Sequence, residues 1–342
     1  MADPQPNAAA LDTSDPLVLG AMLAPLVRKT AGDSLGEIEW FRTSWQRGGA
    51  ATGFSTWTLG DGASVSCMVK VPVGPVERRW ASALGDCWKR GWSTEDCAGL
   101  TTPRVFASAD NLGSYDLCWL VTERFEGGTV ATKFDVHGLE ALVHAAADFQ
   151  IRAERLAKPH GRAFDPDWAK AHCQARQMAH DGALPDAQVW NNALKHAKRL
   201  MPAALASWKA RPINAWLHGD LHPANAMWRH PSDNGHGHQG QRCALIDLGM
   251  VHAGHWSEDA LYLERQFWGR VERLEGLRPV SMVARARRAA GLPVEAEYAP
   301  LLHCKRLIAS AAAPANLEHE GDAVYLGGAL AVLERSIKAL GG

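Results

Sequence analysis

The sequence predicts an α+β protein, with a β-rich segment over residues 16–126 preceding a longer helical segment over 127–342. Three observations carry that expectation. Residues 37–75 alternate apolar and polar side chains around glycine-rich turns, the period-two signature of half-buried strands. From residue 135 the pattern becomes helical and stays so, with punctuation by Pro and Gly, almost to the C-terminus. A chain of 342 residues is long enough for two lobes, and Glu126-Gly127-Gly128 offers a junction between them.

Residues 1–15 read as a flexible tail. The apolar run "VLGAMLAPLV" that follows, residues 18–27, sits after Asp3, Asp12 and Asp15 and before Arg28-Lys29. A secretory signal has the opposite charge order, and a membrane span needs about 20 apolar residues, so an amphipathic helix is expected here. Strands follow in "EIEWFRTSW", "FSTWTL" and "SVSCMVKVPV", the last two joined by the turn "GDGA". In the third strand Val65, Cys67, Val69 and Val71 share one face and leave Ser66, Met68 and Lys70 on the other. "VERRWASALGDCWKR" reads as a helix ended by Gly91, and "TPRVFASA" and "LCWLVTERF" as two further strands. A long helix is expected over 135–157, two or three more between 166 and 210, a short buried strand in "ALIDLG", and helices again over 257–340.

Lys plus Arg number 36 and Asp plus Glu 37, so no global charge points to nucleic acid or a membrane surface as partner. The seven cysteines are scattered singly with no C-x-x-C pair, as expected of reduced thiols in a cytoplasmic protein. The patch "RHPSDNGHGHQGQR", 229–242, carries His230, His236 and His238. Its Gly, Asn, Ser and Gln content marks a solvated surface insertion rather than a zinc site.

The chemistry concentrates in "HGDLHPAN". Asp220 and Asn225 stand five residues apart, and Asp247 follows 22 residues later at the end of an apolar strand in "LIDLG". Phosphoryl transfer from ATP needs such a set. One carboxylate orients and deprotonates an incoming hydroxyl, and hard oxygen ligands hold Mg²⁺ against the phosphates. The kinase pattern H-R-D-L-x-x-x-N matches His218, Asp220, Leu221 and Asn225, with Gly219 in place of the Arg.

These motifs resemble the aminoglycoside phosphotransferase/choline kinase family, small-molecule kinases with a two-lobed protein-kinase-like fold. Gly219 fits that family, whereas a protein kinase has an Arg there, and no A-P-E-like signature follows Asp247. The resemblance implies Asp220 as catalytic base, Asn225 and Asp247 as Mg²⁺ ligands, and Lys70 as the lysine that pairs the α/β-phosphates of ATP or GTP. Glu77 is the first choice as partner of Lys70, with Asp86 and Glu95 as alternatives. Glu123 to Phe125 resemble the hinge that presents backbone groups to adenine, and Asp259 resembles an aspartate that steadies the catalytic loop. Gly48, Gly49 and Gly53 stand where a phosphate loop falls, although "QRGGAATGF" lacks the G-x-G-x-x-G spacing, and Leu248 replaces the Phe of D-F-G.

The remaining signals are weighed more plainly. His222 reads as a hydrogen-bond partner that structures the loop. The 14 tryptophans, Trp57, Trp88 and Trp119 among them, read mainly as core; an aromatic cage for a quaternary ammonium is the minority reading. Arg285, Arg287 and Arg288 read as a solvated helix face that an anionic substrate would otherwise have to explain. The expected function is transfer of the γ-phosphate of a nucleotide to a hydroxyl of a small molecule. Its rivals are a catalytically inactive nucleotide- or metabolite-binding regulator and a protein kinase. The acceptor stays open among sugar, aminoglycoside, choline-like amine and amino-acid-derived alcohol, and so does the oligomeric state.

Overall fold

The computed structural model describes residues 14–42, 49–86, 100–161, 165–229, 242–316 and 322–341. The chain divides into two compact units, one of residues 1–126 with 246–249, the other of 127–245 with 250–342.

In the first unit, α1 (Pro16–Ala31) starts where the Asp15 carboxylate accepts the Leu17 N–H at 2.8 Å, with Pro16 fixing the first helical position. It buries Gly20, Leu23 and Val27; a Cβ on Gly20 would stand 2.5 Å from the Trp40 ring, so glycine lets helix and sheet approach. The sheet is fully antiparallel: β1 (Glu39–Phe41), β2 (Ala51–Thr58), β3 (Ser64–Val73), β4 (Val105–Ala109) and β5 (Cys118–Glu123), in the order β1-β2-β3-β5-β4. The alternation in β3 decides which side faces the core. Cys67, Val69 and Val71 are fully buried beside Leu112 and Val121, and Lys70 points to the other face. Trp119 is core as read, and Trp57, half-buried in β2, stacks on Phe106; Trp88 lies outside the described residues.

With residues 87–90 of the expected helix outside the described residues, α2 (Pro75–Gly85) leaves helical geometry at Asp86. The reason is packing: a Cβ on Gly85 would sit 2.2 Å from the Pro103 carbonyl, and the chain turns where this close approach occurs. Asp86, one alternative partner for Lys70, thus caps the helix, while Glu95, the other, lies outside the described residues.

The second unit is built on α3 (Val136–Leu156), whose N-cap Asp135 accepts the Gly138 N–H and whose Leu139, Leu142, Ala146, Phe149 and Ala153 are fully buried. α4 (Trp168–His180) and α5 (Ala187–Lys209) follow. Two short antiparallel ribbons come next. β6 (Ala215–Leu217) pairs β9 (His252–Gly254), and β7 (Ala226–Trp228) pairs β8 (Cys243–Leu245); α3 packs on both ribbons. The chain ends in α6 (Glu258–Arg265), α7 (Pro279–Ala289), α8 (Ala299–Ala312) and α9 (Ala323–Ala339), with α8 packed on α4, α5 and α9. No helix of the described residues is long and apolar enough to cross a membrane.

One expectation is corrected here. Arg285 and Arg288 are exposed, but Arg287 is fully buried rather than part of a solvated face. Its guanidinium donates to Gln150 Oε1 on α3 and to the carbonyls of Asn214 and Pro293, so it ties α7 into the core. A buried cation needs such partners. Helical periodicity cannot reveal them.

Candidate active site

The loop between β6 and β7 owes its shape to one glycine and one aspartate. Gly219 has φ 85°, a conformation glycine adopts without penalty, and a Cβ there would lie 2.2 Å from the Met250 carbonyl. No side chain fits at this position, arginine included. Asp259, almost fully buried on α6, accepts the His218 N–H at 2.8 Å and the Gly219 N–H at 3.0 Å. The Gln266 side chain, at the C-terminal end of the same helix, donates to the Leu221 carbonyl at 3.0 Å, a second fastening.

Asp220 follows directly. Its Oδ1 accepts the Tyr262 hydroxyl at 2.8 Å, its Oδ2 accepts Asn225 Nδ2 at 2.9 Å, and His222 Nε2 stands 3.4 Å from Oδ2. The five-residue spacing is thus a direct side-chain contact, reinforced by Asn225 Nδ2 donating to the Asp220 carbonyl at 3.1 Å. The bond with His222, with help from Tyr262 and against the opposing effect of burial, brings the Asp220 carboxyl down to about 2. It is therefore ionised throughout the ordinary pH range. Tyr262 was not singled out from sequence; it lies 42 residues from Asp220 and belongs to no motif.

In the first unit Lys70 Nζ donates to Glu77 Oε1 at 2.7 Å and to Asp247 Oδ1 at 3.3 Å. Burial works against the ammonium, but the two carboxylates hold its pKa above the ordinary lysine value. Glu77 is nearly buried in the first turn of α2, one helical entry after the strand that carries Lys70. Asp247 adopts φ 60°, so the backbone turns sharply at this residue, two positions after Leu245 of β8.

Glu123, at the end of β5, accepts the Arg104 N–H at 3.1 Å and the Arg104 guanidinium at 3.3 Å. Phe125 is buried, and the Arg124 N–H between them donates to the Ser66 carbonyl. Gly49 has φ 93° and open space where a Cβ would project. Gly53 lies inside β2 opposite Trp40 and Val69, where a Cβ would meet Ile38 Cγ2 at 2.5 Å, so packing within the sheet accounts for that glycine. Gly48 and the histidine-rich patch at 230–241 lie outside the described residues.

Among the described residues no group of three or more His, Cys, Asp and Glu gathers as a metal cage. The Asn225 and Asp247 side chains nevertheless fit a hard cation in their chemistry. Asn225 commits its Nδ2 to Asp220, which leaves the amide oxygen as its donor, and Asp247 is a half-exposed carboxylate. Mg²⁺ takes one or two such oxygens and completes its octahedron with phosphate and water.

A pocket of about 550 Å³ in the second unit is lined by Asp220, Tyr262, Trp168, Arg265, Lys305 and Arg306, among others. Lys305 Nζ lies 4.3 Å from the centroid of the Trp168 ring and 4.6 Å from that of Trp208. These two tryptophan faces are thus covered by a cation of the chain itself.

Residues 95–301 match the phosphotransferase enzyme family, more than half of the chain. No curated protein sequence is detectably similar to this one. Among solved structures, an aminoglycoside phosphotransferase from Alicyclobacillus acidocaldarius shares 14% identity at a TM-score of 0.51, covering 90% of this chain and 91% of that one. A microcompartment-associated aminopropanol kinase shares 16% at a TM-score of 0.52, covering 94% and 98%. Both establish the protein-kinase-like fold of small-molecule kinases, as the sequence motifs imply.

Proposed function

Because the chain belongs to the phosphotransferase enzyme family, we propose that it moves the γ-phosphoryl group of ATP, with GTP as the alternative donor, to a hydroxyl of a small molecule. The observation that carries this reading is the setting of Asp220. Its ionised carboxylate is fixed by Tyr262, Asn225 and His222, on a loop held from beneath by Asp259, and it lines a pocket large enough for a metabolite.

The chemistry follows from that setting. A carboxylate held at about 2 is too weak a base to strip an alcohol of its proton in advance. It orients the hydroxyl by accepting its hydrogen bond, and it takes the proton as the new O–P bond forms and the bond to the nucleoside diphosphate breaks. Such timing suits the loose transition state of phosphoryl transfer, in which positioning and charge stabilisation supply most of the rate. Lys70, held by Glu77, pairs the α/β-phosphates, and the backbone near Gly49 and Glu123 to Phe125 receives the nucleotide. Asn225 and Asp247 would hold Mg²⁺, which neutralises phosphate charge when bound.

Asp220→Asn tests the reading, since it keeps the shape and removes the proton acceptor. Turnover should fall by about 10²- to 10⁴-fold while thermal stabilisation by Mg²⁺-ATP stays near that of the parent. Phosphotransfer that persists undiminished would refute it. A parent that binds Mg²⁺-ATP and phosphorylates nothing across sugars, amines and hydroxy acids would turn the reading to a nucleotide-binding regulator.

A further inference from the structure

The second-unit pocket contains a cation without a carboxylate. Lys305 on α8 makes its contacts with the faces of Trp168 and Trp208, and no ion pair forms at its ammonium among the described residues. The nearby acids are committed elsewhere. Glu258 accepts Arg211 Nε at 2.9 Å and the His255 N–H at 2.6 Å. Asp165 accepts both Arg211 terminal nitrogens and the Trp208 indole. Asp259 is taken up by the loop N–H groups. Arg306, also lining the pocket, is neutralised by Glu264 through two bonds at 2.8 and 2.9 Å. What remains is the Lys305 ammonium, alongside Arg265 whose guanidinium lies 5.2 Å from the centroid of the Tyr262 ring, in the same pocket as the Asp220 carboxylate.

Resting on the phosphotransferase reading of this pocket, we propose that Lys305 is a specificity residue that selects an acceptor bearing a negatively charged group, such as a hydroxylated carboxylic acid, over a neutral or amine-bearing alcohol. An aromatic face attracts a cation, but far less than a carboxylate does at contact distance. Burial accordingly pushes the Lys305 ammonium down to about 8, with Arg211 and Arg265 adding to the effect and Glu258 and Asp165 opposing it. An entering anion restores what burial removes. An amine-bearing acceptor would instead place a second cation beside the first, and the two tryptophan faces that would welcome it are already occupied. The same anion leaves Asp220 undisturbed, because that carboxylate already has its own donors in Tyr262, Asn225 and His222.

Two matched sets of acceptors test this with Mg²⁺-ATP: glycerate, glycerol and 3-amino-1,2-propanediol, and gluconate, glucitol and 1-amino-1-deoxyglucitol. Each set varies one terminal group on a constant chain length. ADP formation and thermal stabilisation are both read on the parent, Lys305→Met and Lys305→Arg. The expected result is a kcat/KM at least about tenfold higher for the acid than for the amine of a set. Lys305→Met should erase that preference through a raised KM with kcat little changed, and Lys305→Arg should keep most of it. Should neither set turn over, stabilisation by gluconate that is present in the parent and absent in Lys305→Met supports the assignment, and equal or absent stabilisation overturns it. Preference for the amine, or an acid KM unmoved by Lys305→Met, also overturns it while leaving the phosphotransferase reading intact. Failure to bind Mg²⁺-ATP at all would strike that reading instead.

Discussion

Lys70 in the first unit and Lys305 in the second are both lysines withdrawn from solvent, and their surroundings differ in kind. Lys70 has two carboxylates, Glu77 at 2.7 Å and Asp247 at 3.3 Å, and its pKa rises; Lys305 has two indole rings and its pKa falls to about 8. A paired buried charge is a component already assembled, whereas one resting on aromatic faces is poised for a counter-ion from outside. On the readings above, the first lysine meets phosphates while keeping its partners, and the second meets the acceptor as a partner.

The largest expected effect separates the two lysines by rate. Lys70→Met should lower turnover by about 10²- to 10³-fold, the scale seen when a donor aimed at developing charge is removed. Lys305→Met should leave kcat with a saturating acceptor within a few fold. Comparable losses of kcat in both variants would remove the distinction.

A smaller effect separates them by stability, and in opposite directions. Lys305→Met exchanges a poorly compensated buried cation for an apolar chain of similar length and should raise Tm by several degrees at pH 7. Lys70→Met strips Glu77 and Asp247 of their shared counter-ion and should lower it. Calorimetry of the three proteins decides, and a Tm lowered by both substitutions would mean that Lys305 is fully compensated in the folded chain.

The smallest effect is in the pH dependence. Lys305 titrates near 8 when folded and near 10.5 when not, so between those values the unfolded chain holds the extra proton. Its contribution to stability therefore rises with pH across that window and is constant below it. The Lys70 contribution runs the other way: its folded pKa is raised, so its stabilisation is complete below the unfolded value and is lost as pH climbs through the folded one. The stability difference between the parent and Lys305→Met, followed from pH 7 to 10, should shrink as pH rises; a constant difference would contradict the assignment.

The same contrast explains what the sequence revealed. Lys70 was legible through the family resemblance and its place on the strictly alternating β3, and Glu77 was the first choice of partner although it comes only seven residues later, in the next element. The Asp220 and Asn225 pair was legible because its spacing is itself the contact. Lys305 was not, since its ring partners lie 137 and 97 residues earlier, on other helices, and a lysine on an amphipathic helix reads as solvated. Tyr262 and Arg287 were hidden for the same reason: each depends on an approach between segments distant in sequence. Gly219 was noticed by its departure from a kinase pattern, yet its cause, a carbonyl too close for any Cβ, exists only in three dimensions.

The pairing of Trp228 with Cys243 closes the β7–β8 ribbon at the end where the chain departs into, and returns from, the segment between them. Exit and re-entry are neighbours, so the length of what connects them is nearly a free variable, growing costlier only logarithmically. For protein engineering this is a docking port. A reporter domain or affinity handle spliced between the two strands would be carried on a closed clasp, with Asn225 just before it and Asp247 soon after it still in their places along the chain.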